Sequence, residues 1–351
     1  MKEVTLKQIA ESLGISITTV SKALKDYPDV SPKTRKLVRQ KAELLNYMPN
    51  TFAVNLRTKE SKTIGLIIPE VVHHFFSSVV NGIIEEAEKK GYLVIILQSA
   101  ESLEMERKQI ELLIQKRVDG ILMSLSNKTP NEKHLRLIIE REIPLVLFDK
   151  ISKLAHCSKV IIDDQLASFQ ATEHLIQSGC RRIAHFRGPL MPQNSIDRFL
   201  GYKKALDANG IPYDAQLVYT CEDVSFEEGY NFARKLFLEN PDVDGLFTVA
   251  DLVAVGAISY CNDHQIKIPE QLSIIGFSNW FMSSVISPKL TTIDQPGYKM
   301  GRKSFKLLFK EIKKRKKGHI IDHKTVVLPT KLITRETTRT SGEKRLELLA
   351  N

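Results

Sequence analysis

From residue 63 to residue 278 the chain alternates short apolar runs with amphipathic stretches, and this alternation constrains the fold more than any other feature. TIGLIIP is followed by Ser77 to Lys90, YLVIIL, Leu103 to Lys116, DGILMS, Glu132 to Glu142 and PLVLFD. Runs of four to six apolar residues with no polar alternation read as strands buried on both faces, and the stretches between them carry helical periodicity. Strand, helix, strand repetition of this kind implies a parallel sheet with helices on both sides. The pattern restarts at KVIID, then Ala167 to Ser178, RRIAHFR, Arg198 to Asn209, a strand near Leu217 to Cys221, Phe226 to Glu239, DGLFTV, Ala254 to His264 and LSIIGFS. Two similar doubly wound halves in series are therefore expected. Such sheets bind ligands beyond the carboxyl ends of their strands, so a cleft between the halves is the natural site.

Charge separates the rest of the chain from this body. The net excess of +10 is uneven: residues 1–62 carry +6, residues 63–301 carry −6, and residues 302–317 carry +8. A small basic unit ahead of a mildly acidic body fits a module that meets a polyanion, with nucleic acid the leading partner. The run from Arg302 to Lys317 reads differently. Phe305, Leu308, Phe309 and Ile312 recur there at helical spacing, which makes its lysines the wet side of an amphipathic helix. With 42% hydrophobic and 26% charged residues the composition is that of a globular protein. No apolar run approaches the roughly 20 residues of a bilayer span, so no membrane partner is expected. The first ten residues are polar and helix-like rather than a secretory signal, which leads to an expected cytoplasmic, nucleoid-associated location. Cys157, Cys180, Cys221 and Cys261 show no metal-type spacing and read as free thiols; no cofactor or metal is expected.

Within the basic unit, Thr5 precedes Leu6, Ile9, Ala10 and Leu13, an apolar stripe closed by Gly14. Ser16 caps a second helix with Val20, Ala23 and Leu24 on its buried side. The turn around Gly14 and Ile15 is so short that the helices cross steeply, which is the helix-turn-helix plan. In that plan the start of the second helix enters the major groove. Thr18 can hydrogen-bond a base edge, Ile17 can touch a thymine methyl, and Lys22 can reach guanine O6 or N7. A third helix starts at Pro32 behind Ser31, with Leu37, Val38, Ala42, Leu44 and Leu45 available to close the core, and Ser31, Thr34 and Tyr47 left for phosphates. On periodicity alone, a helix pair opening an α/β domain, with Thr18, Thr19 and Ser21 as surface hydroxyls, reads equally well.

The wording of the segment goes further than its periodicity. TLKQIAESLGISITTVSKALKDYPDVSPKTRKLVRQKAELLNYMPN resembles the DNA-binding headpiece of the lactose/galactose repressor (LacI/GalR) family, notably TVS at Thr19 to Ser21, VS and KTR between Val30 and Arg35, and LNYMPN at Leu45 to Asn50. The resemblance implies DNA contacts from Thr5, Leu6, Ser16, Ile17, Thr18, Thr19, Ser21, Lys22, Lys25, Ser31, Thr34, Tyr47 and Asn50. It implies a hinge helix after the headpiece, with Ala53 and Leu56 facing the minor groove and Arg57 supplying charge there. An apolar wedge unstacks a base step and kinks the duplex, which is how Leu56 would contribute.

The body is similar to the periplasmic-binding-protein-like effector domain of the same family. HLIQSGCRRIAHFRG, DRFLGYKKAL, FEEGY, SIIGFSN, LTTIDQP and LPTKLITRETT carry the likeness from His174 to Thr338. It implies a headpiece at 1–49, a hinge helix and linker at 50–62, an effector and dimerisation domain at 63–338, and a tail at 339–351. The first subdomain would be 63–162 with 294–322, and the second 163–293 with 323–338. For the effector site it implies Phe75, Phe76, Asp149, Arg198, Phe226, Asp251, Ser278 and Trp280. Aromatic faces stack on a sugar ring, while Arg and Asp bond hydroxyls in pairs. Ala250 and Ser278 depart from the asparagine and aspartate usual in the family, which leaves Trp280 as an alternative stacking surface.

Two other functions compete with this reading. An enzyme is disfavoured because no phosphate loop, nucleophile elbow or HExxH helix is present, and the adjacent His73 and His74 point apart. A solute-binding receptor would share the body but has no use for the basic start. The expectation is a repressor that binds a near-palindromic operator as a homodimer and responds to a small molecule, a sugar or sugar derivative.

Overall fold

The structure is a computed structural model that describes residues 4–48, 60–71 and 74–339. The chain divides into two compact units at Ser61 and Lys62.

In the first unit, α1 (Leu6–Leu13) starts at Thr5, whose hydroxyl accepts from the Gln8 amide while the Gln8 side chain accepts from the Thr5 N–H. This reciprocal cap fixes the helix start. Gly14 ends it at φ 64°, a left-handed conformation that glycine adopts without a Cβ penalty. Next, α2 (Ile17–Leu24) is capped by Ser16, and α3 (Pro32–Leu44) by Ser31 with proline in its first turn. Ile9, Ala10, Val20, Ala23, Val30, Val38 and Ala42 form the core. Leu37 and Leu44, expected to help close it, are exposed. The buried face of α3 runs through residues 38, 42 and 45, and a side chain one position off that row is turned by about 100°.

The second unit contains two six-stranded sheets. The first is ordered β11-β5-β4-β3-β1-β2 and comprises β1 (Thr63–Ile68), β2 (Leu93–Gln98), β3 (Gly120–Met123), β4 (Leu145–Phe148), β5 (Ser158–Ile162) and β11 (Thr325–Leu328). The second is ordered β12-β10-β9-β8-β6-β7 and comprises β6 (Ile183–Arg187), β7 (Val218–Thr220), β8 (Gly245–Thr248), β9 (Ser273–Phe277), β10 (Thr291–Asp294) and β12 (Lys331–Ile333). All pairs are parallel except β10 with β12. The helices are α4 (His74–Glu88), α5 (Leu103–Gln115), α6 (Arg136–Glu140), α7 (Asp164–Gln177), α8 (Gln193–Ala208), α9 (Phe226–Glu239), α10 (Asp251–Asp263) and α11 (Gly297–Lys316). Glycine lets two of their pairs approach closely: a Cβ on Gly301 of α11 would lie 2.0 Å from the Val79 carbonyl of α4, and one on Gly229 of α9 2.1 Å from the Val253 carbonyl of α10. As expected from its stripe, α11 buries Phe305, Leu308 and Ile312 and packs on α4, β3, β4 and β5.

The boundary between halves differs from the expectation at one crossing. Residues 323–338 were expected to return to the second half together, but β11 pairs in parallel with β5, Thr325 opposite Lys159. The chain therefore crosses between Leu328 and Lys331. Without β11, the open edge of β5 would present unpaired backbone groups. In both sheets the strand order reverses beside the first strand, between β1 and β3 and between β6 and β8, which places two switch-point crevices on the ligand side.

Candidate functional site

In the first unit the expected DNA-contacting residues that are described differ in exposure. Ile17 and Thr18, the first residues of α2, are exposed, as is Lys25; Thr19, Ser21 and Lys22 are half-buried. Ser16 Oγ accepts from the Thr19 amide at 3.0 Å and lies 2.8 Å from Thr19 Oγ1; Ser31 repeats the arrangement with Thr34 at 3.1 and 2.8 Å. These hydroxyls therefore shape helix starts whose remaining N–H groups point outward, an arrangement suited to phosphate oxygens. Thr5 caps α1, Leu6 is half-buried beside it, and Tyr47 packs on the core, where burial raises its phenol. Lys22 is not free: its ammonium pairs with Asp29 and holds that carboxyl below its ordinary value. Sequence reasoning gave no sign of Asp29. Asn50, Ala53, Leu56 and Arg57, with the hinge helix, lie outside the described residues.

The second unit has a cleft of about 700 Å³ between its halves, at the carboxyl ends of the strands. Phe75, Phe76, Asp149, Arg198, Asp251, Ser278 and Trp280 all line it. Phe226 does not. It is the first residue of α9, its ring lies 6.5 Å from that of Tyr230 and its carbonyl abuts Gly256 of α10; Glu222 to Ser225, the loop before it, reach the cleft instead.

Arg198, on α8, is nearly buried. Its Nε donates to Asp164 at 2.8 Å, its Nη1 to the Val249 carbonyl at 2.9 Å, and its guanidinium sits 3.6 Å above the Phe277 ring. The group is thereby fixed in orientation before any ligand arrives. Burial pushes the Asp164 carboxyl up to about 7 against the pull of Arg198. Asp149 follows β4 at φ 57° and accepts from Gln295 Nε2 at 2.8 Å; burial raises its carboxyl too. Asp251 is 1% exposed. Its two oxygens accept from the Thr292 hydroxyl and the Trp280 amide, each at 2.6 Å, and burial moves it up to about 6. It does not cap α10: it anchors the loop that carries Ser278 and Trp280. Lys150, bound to Glu101 at 2.7 Å, and Asn194, Ser195 and Gln295 also line the cleft, and sequence reasoning missed them. Asp164 was legible in principle, since IIDD ends a strand as LFD does.

Among the described residues no group of His, Cys, Asp or Glu is placed to hold a metal ion, and no helix is long and apolar enough to cross a membrane.

Comparison with known proteins gives a match to each of the two units. Residues 5–50 match the model of "Bacterial regulatory proteins, lacI family", and residues 61–335 that of "Periplasmic binding proteins and sugar binding domain of LacI family". The chain is 33% identical to the ribose operon repressor of Halalkalibacterium halodurans over 95% of its own length and 97% of the relative's. It is 32% identical to catabolite control protein A of Priestia megaterium, covering 96% and 99%. Among solved structures it superposes on the Lac repressor dimer bound to operator and the anti-inducer ONPF with a TM-score of 0.86 at 25% identity, over 97% of this chain and 100% of that one. With both family models matched in order along one polypeptide, and relatives of this identity aligned end to end, the chain belongs to the LacI family of bacterial regulatory proteins.

Proposed function

We propose that this protein is a sequence-specific transcriptional repressor whose hold on operator DNA is set by a carbohydrate in the cleft of its second unit. The observation that carries this reading is the presence on one chain of a helix-turn-helix with Ile17 and Thr18 exposed at the start of α2 and a cleft lined by fixed polar groups and aromatic rings. The first supplies major-groove readout and the second a polyol site. The relatives support it: several are named as repressors, and similar structures hold cellobiose and ribose. A solute receptor would leave residues 5–48 without a role, and no part of the reading requires catalysis. The protein works in the cytoplasm, where chromosomal DNA is accessible.

Two headpieces reading a near-palindromic operator require a two-fold dimer. Supporting this, the second unit exposes Leu93 and Ile96 on the edge strand β2 and Phe281 and Val285 near β10, apolar surface that a second copy would cover. A ligand that binds one cleft geometry better than another shifts the population of the DNA-competent form. The test is fluorescence anisotropy on a duplex selected from a random pool, against scrambled competitor, with and without sugars. The expected result is preference for the selected site and its loss or gain with one sugar. Equal binding to both duplexes under all conditions refutes the proposal.

A further inference from the structure

Parallel-sheet clefts turn helix amino ends toward the ligand, and those ends attract anions. Here the chain's own carboxylates stand beside several of them. Asp164 and Asp251 are the first residues of α7 and α10. At α9 the Glu228 carboxylate accepts the amides of Glu222, Asp223 and Ser225 at 2.7, 3.1 and 3.2 Å. At α8 the Asn194 side chain bonds Asp149. The cations are engaged in the same way, Arg198 by Asp164 at 2.8 Å and Lys150 by Glu101 at 2.7 Å. Among the described residues the wall holds six carboxylates against three Lys or Arg, and Glu222 and Asp223 are exposed. Lys128 and His74, both exposed, are the remaining groups on the rim able to carry positive charge.

A second observation concerns a neutral group. Ser195 Oγ lies in the cleft wall, in a residue 4% exposed, and bonds no protein atom. Gly188 keeps the space beside it open, since a Cβ there would come within 3.0 Å of that oxygen. A buried hydroxyl without a partner is costly, and a ligand hydroxyl would satisfy it.

We propose that the cleft selects an uncharged polyhydroxylated ligand and excludes its phosphorylated forms. This rests on the cleft being the effector site, as read above. A phosphate dianion entering it would give up hydration and meet fixed negative charge with each buried cation already engaged.

The sole tryptophan, Trp280, lines the same cleft and reports its potential without knowledge of the effector. Stern–Volmer constants for caesium, iodide and neutral acrylamide on the full chain, at ionic strength near 0.1 M and relative to N-acetyltryptophanamide, give the local sign of charge. A potential of about half of kT favours caesium over iodide by about threefold. Glu222→Gln with Asp223→Asn should move that ratio toward one. A ratio of one or below in the wild type, or one unmoved by the double substitution, overturns the proposal. So does a shift of Trp280 emission by D-ribose 5-phosphate or D-glucose 6-phosphate where the parent sugar gives none. Operator anisotropy is measured independently, so failure of the DNA-binding reading would be seen separately.

Discussion

Removing the Asp251 carboxylate is the sharpest perturbation the cleft offers. Its oxygens hold the Thr292 hydroxyl and the Trp280 amide, and the two residues just before Trp280 are consecutive non-glycine residues at positive φ, Ser278 at 106° and Asn279 at 52°. Asp251→Ala strands two donors, each costing about 1–3 kcal/mol when buried without a partner. Thr292 has a second, weak acceptor in the Ile293 carbonyl at 3.5 Å, and the Trp280 amide is only partly buried, so about 3 kcal/mol is expected for the pair. Asp251→Asn keeps the shape: its carbonyl can accept from Trp280 while its amide donates to the Thr292 oxygen, for a cost below about 1 kcal/mol at pH 7. Urea unfolding followed by Trp280 emission reads both stability and loop position. The reasoning fails if alanine costs no more than asparagine.

The sign of the pH dependence supplies a second check. Burial raises the Asp251 carboxyl from 3.8 to about 6, so the folded state holds the proton more tightly than the unfolded chain. That contribution is complete below about pH 4 and is lost as pH rises through 6. The deficit of Asp251→Asn is therefore largest near pH 4, shrinks between about pH 4 and 6 and levels off above that; a deficit that grows with pH contradicts the assignment.

Three further outcomes follow from other sites. Ser278→Gly, which removes the Cβ at φ 106°, should stabilise the fold by about 0.5–1 kcal/mol in the same urea assay, and no gain would mean that the serine side chain makes a compensating contact. His185 donates its Nδ1–H to the Phe247 carbonyl at 2.9 Å and is held neutral by burial, down to about 3; its contribution is present above pH 6.5 and lost as pH falls toward 3, so His185→Phe should be less stable than wild type at pH 7 with the gap closing on acidification. Asp29→Asn releases Lys22, so anisotropy should show several-fold tighter binding to duplex DNA with a steeper salt dependence, whereas Lys22→Ala should weaken the selected site more than a scrambled one; equal loss on both duplexes would remove Lys22 from base readout.

The layered body was legible because a strand buried on both faces carries a mostly apolar run without polar alternation, and TIGLII and DGLFTV could form little else. The headpiece was legible for a local reason as well: Thr5, Gly14, Ser16 and Ser31 each act on the helix next to them. What depended on distant partners was not. Nothing within TVVL says that it completes the edge of β5 while KLI, two residues later, pairs with β10. Nothing around Lys22 names Asp29 as its counter-ion. Phe226 lies in a recognisable motif, yet its motif neighbours turn toward α10, and the charged loop before it reaches the cleft.

The acids at strand ends show most clearly where sequence stops. An Asp at the junction of a strand and a helix serves equally well as a cap, a ligand group or a brace, and all three uses place it at the same position. Asp163 and Asp164 are adjacent in the sequence, but the first caps α7 by accepting from the Leu166 amide at 2.9 Å while the second fixes Arg198. Asp251 begins a helix and braces a loop 29 residues away. Only the count of hydrogen bonds on each oxygen separates these roles. That same count identifies Ser195, the cleft hydroxyl without a protein partner, as the group whose bonding a ligand must complete.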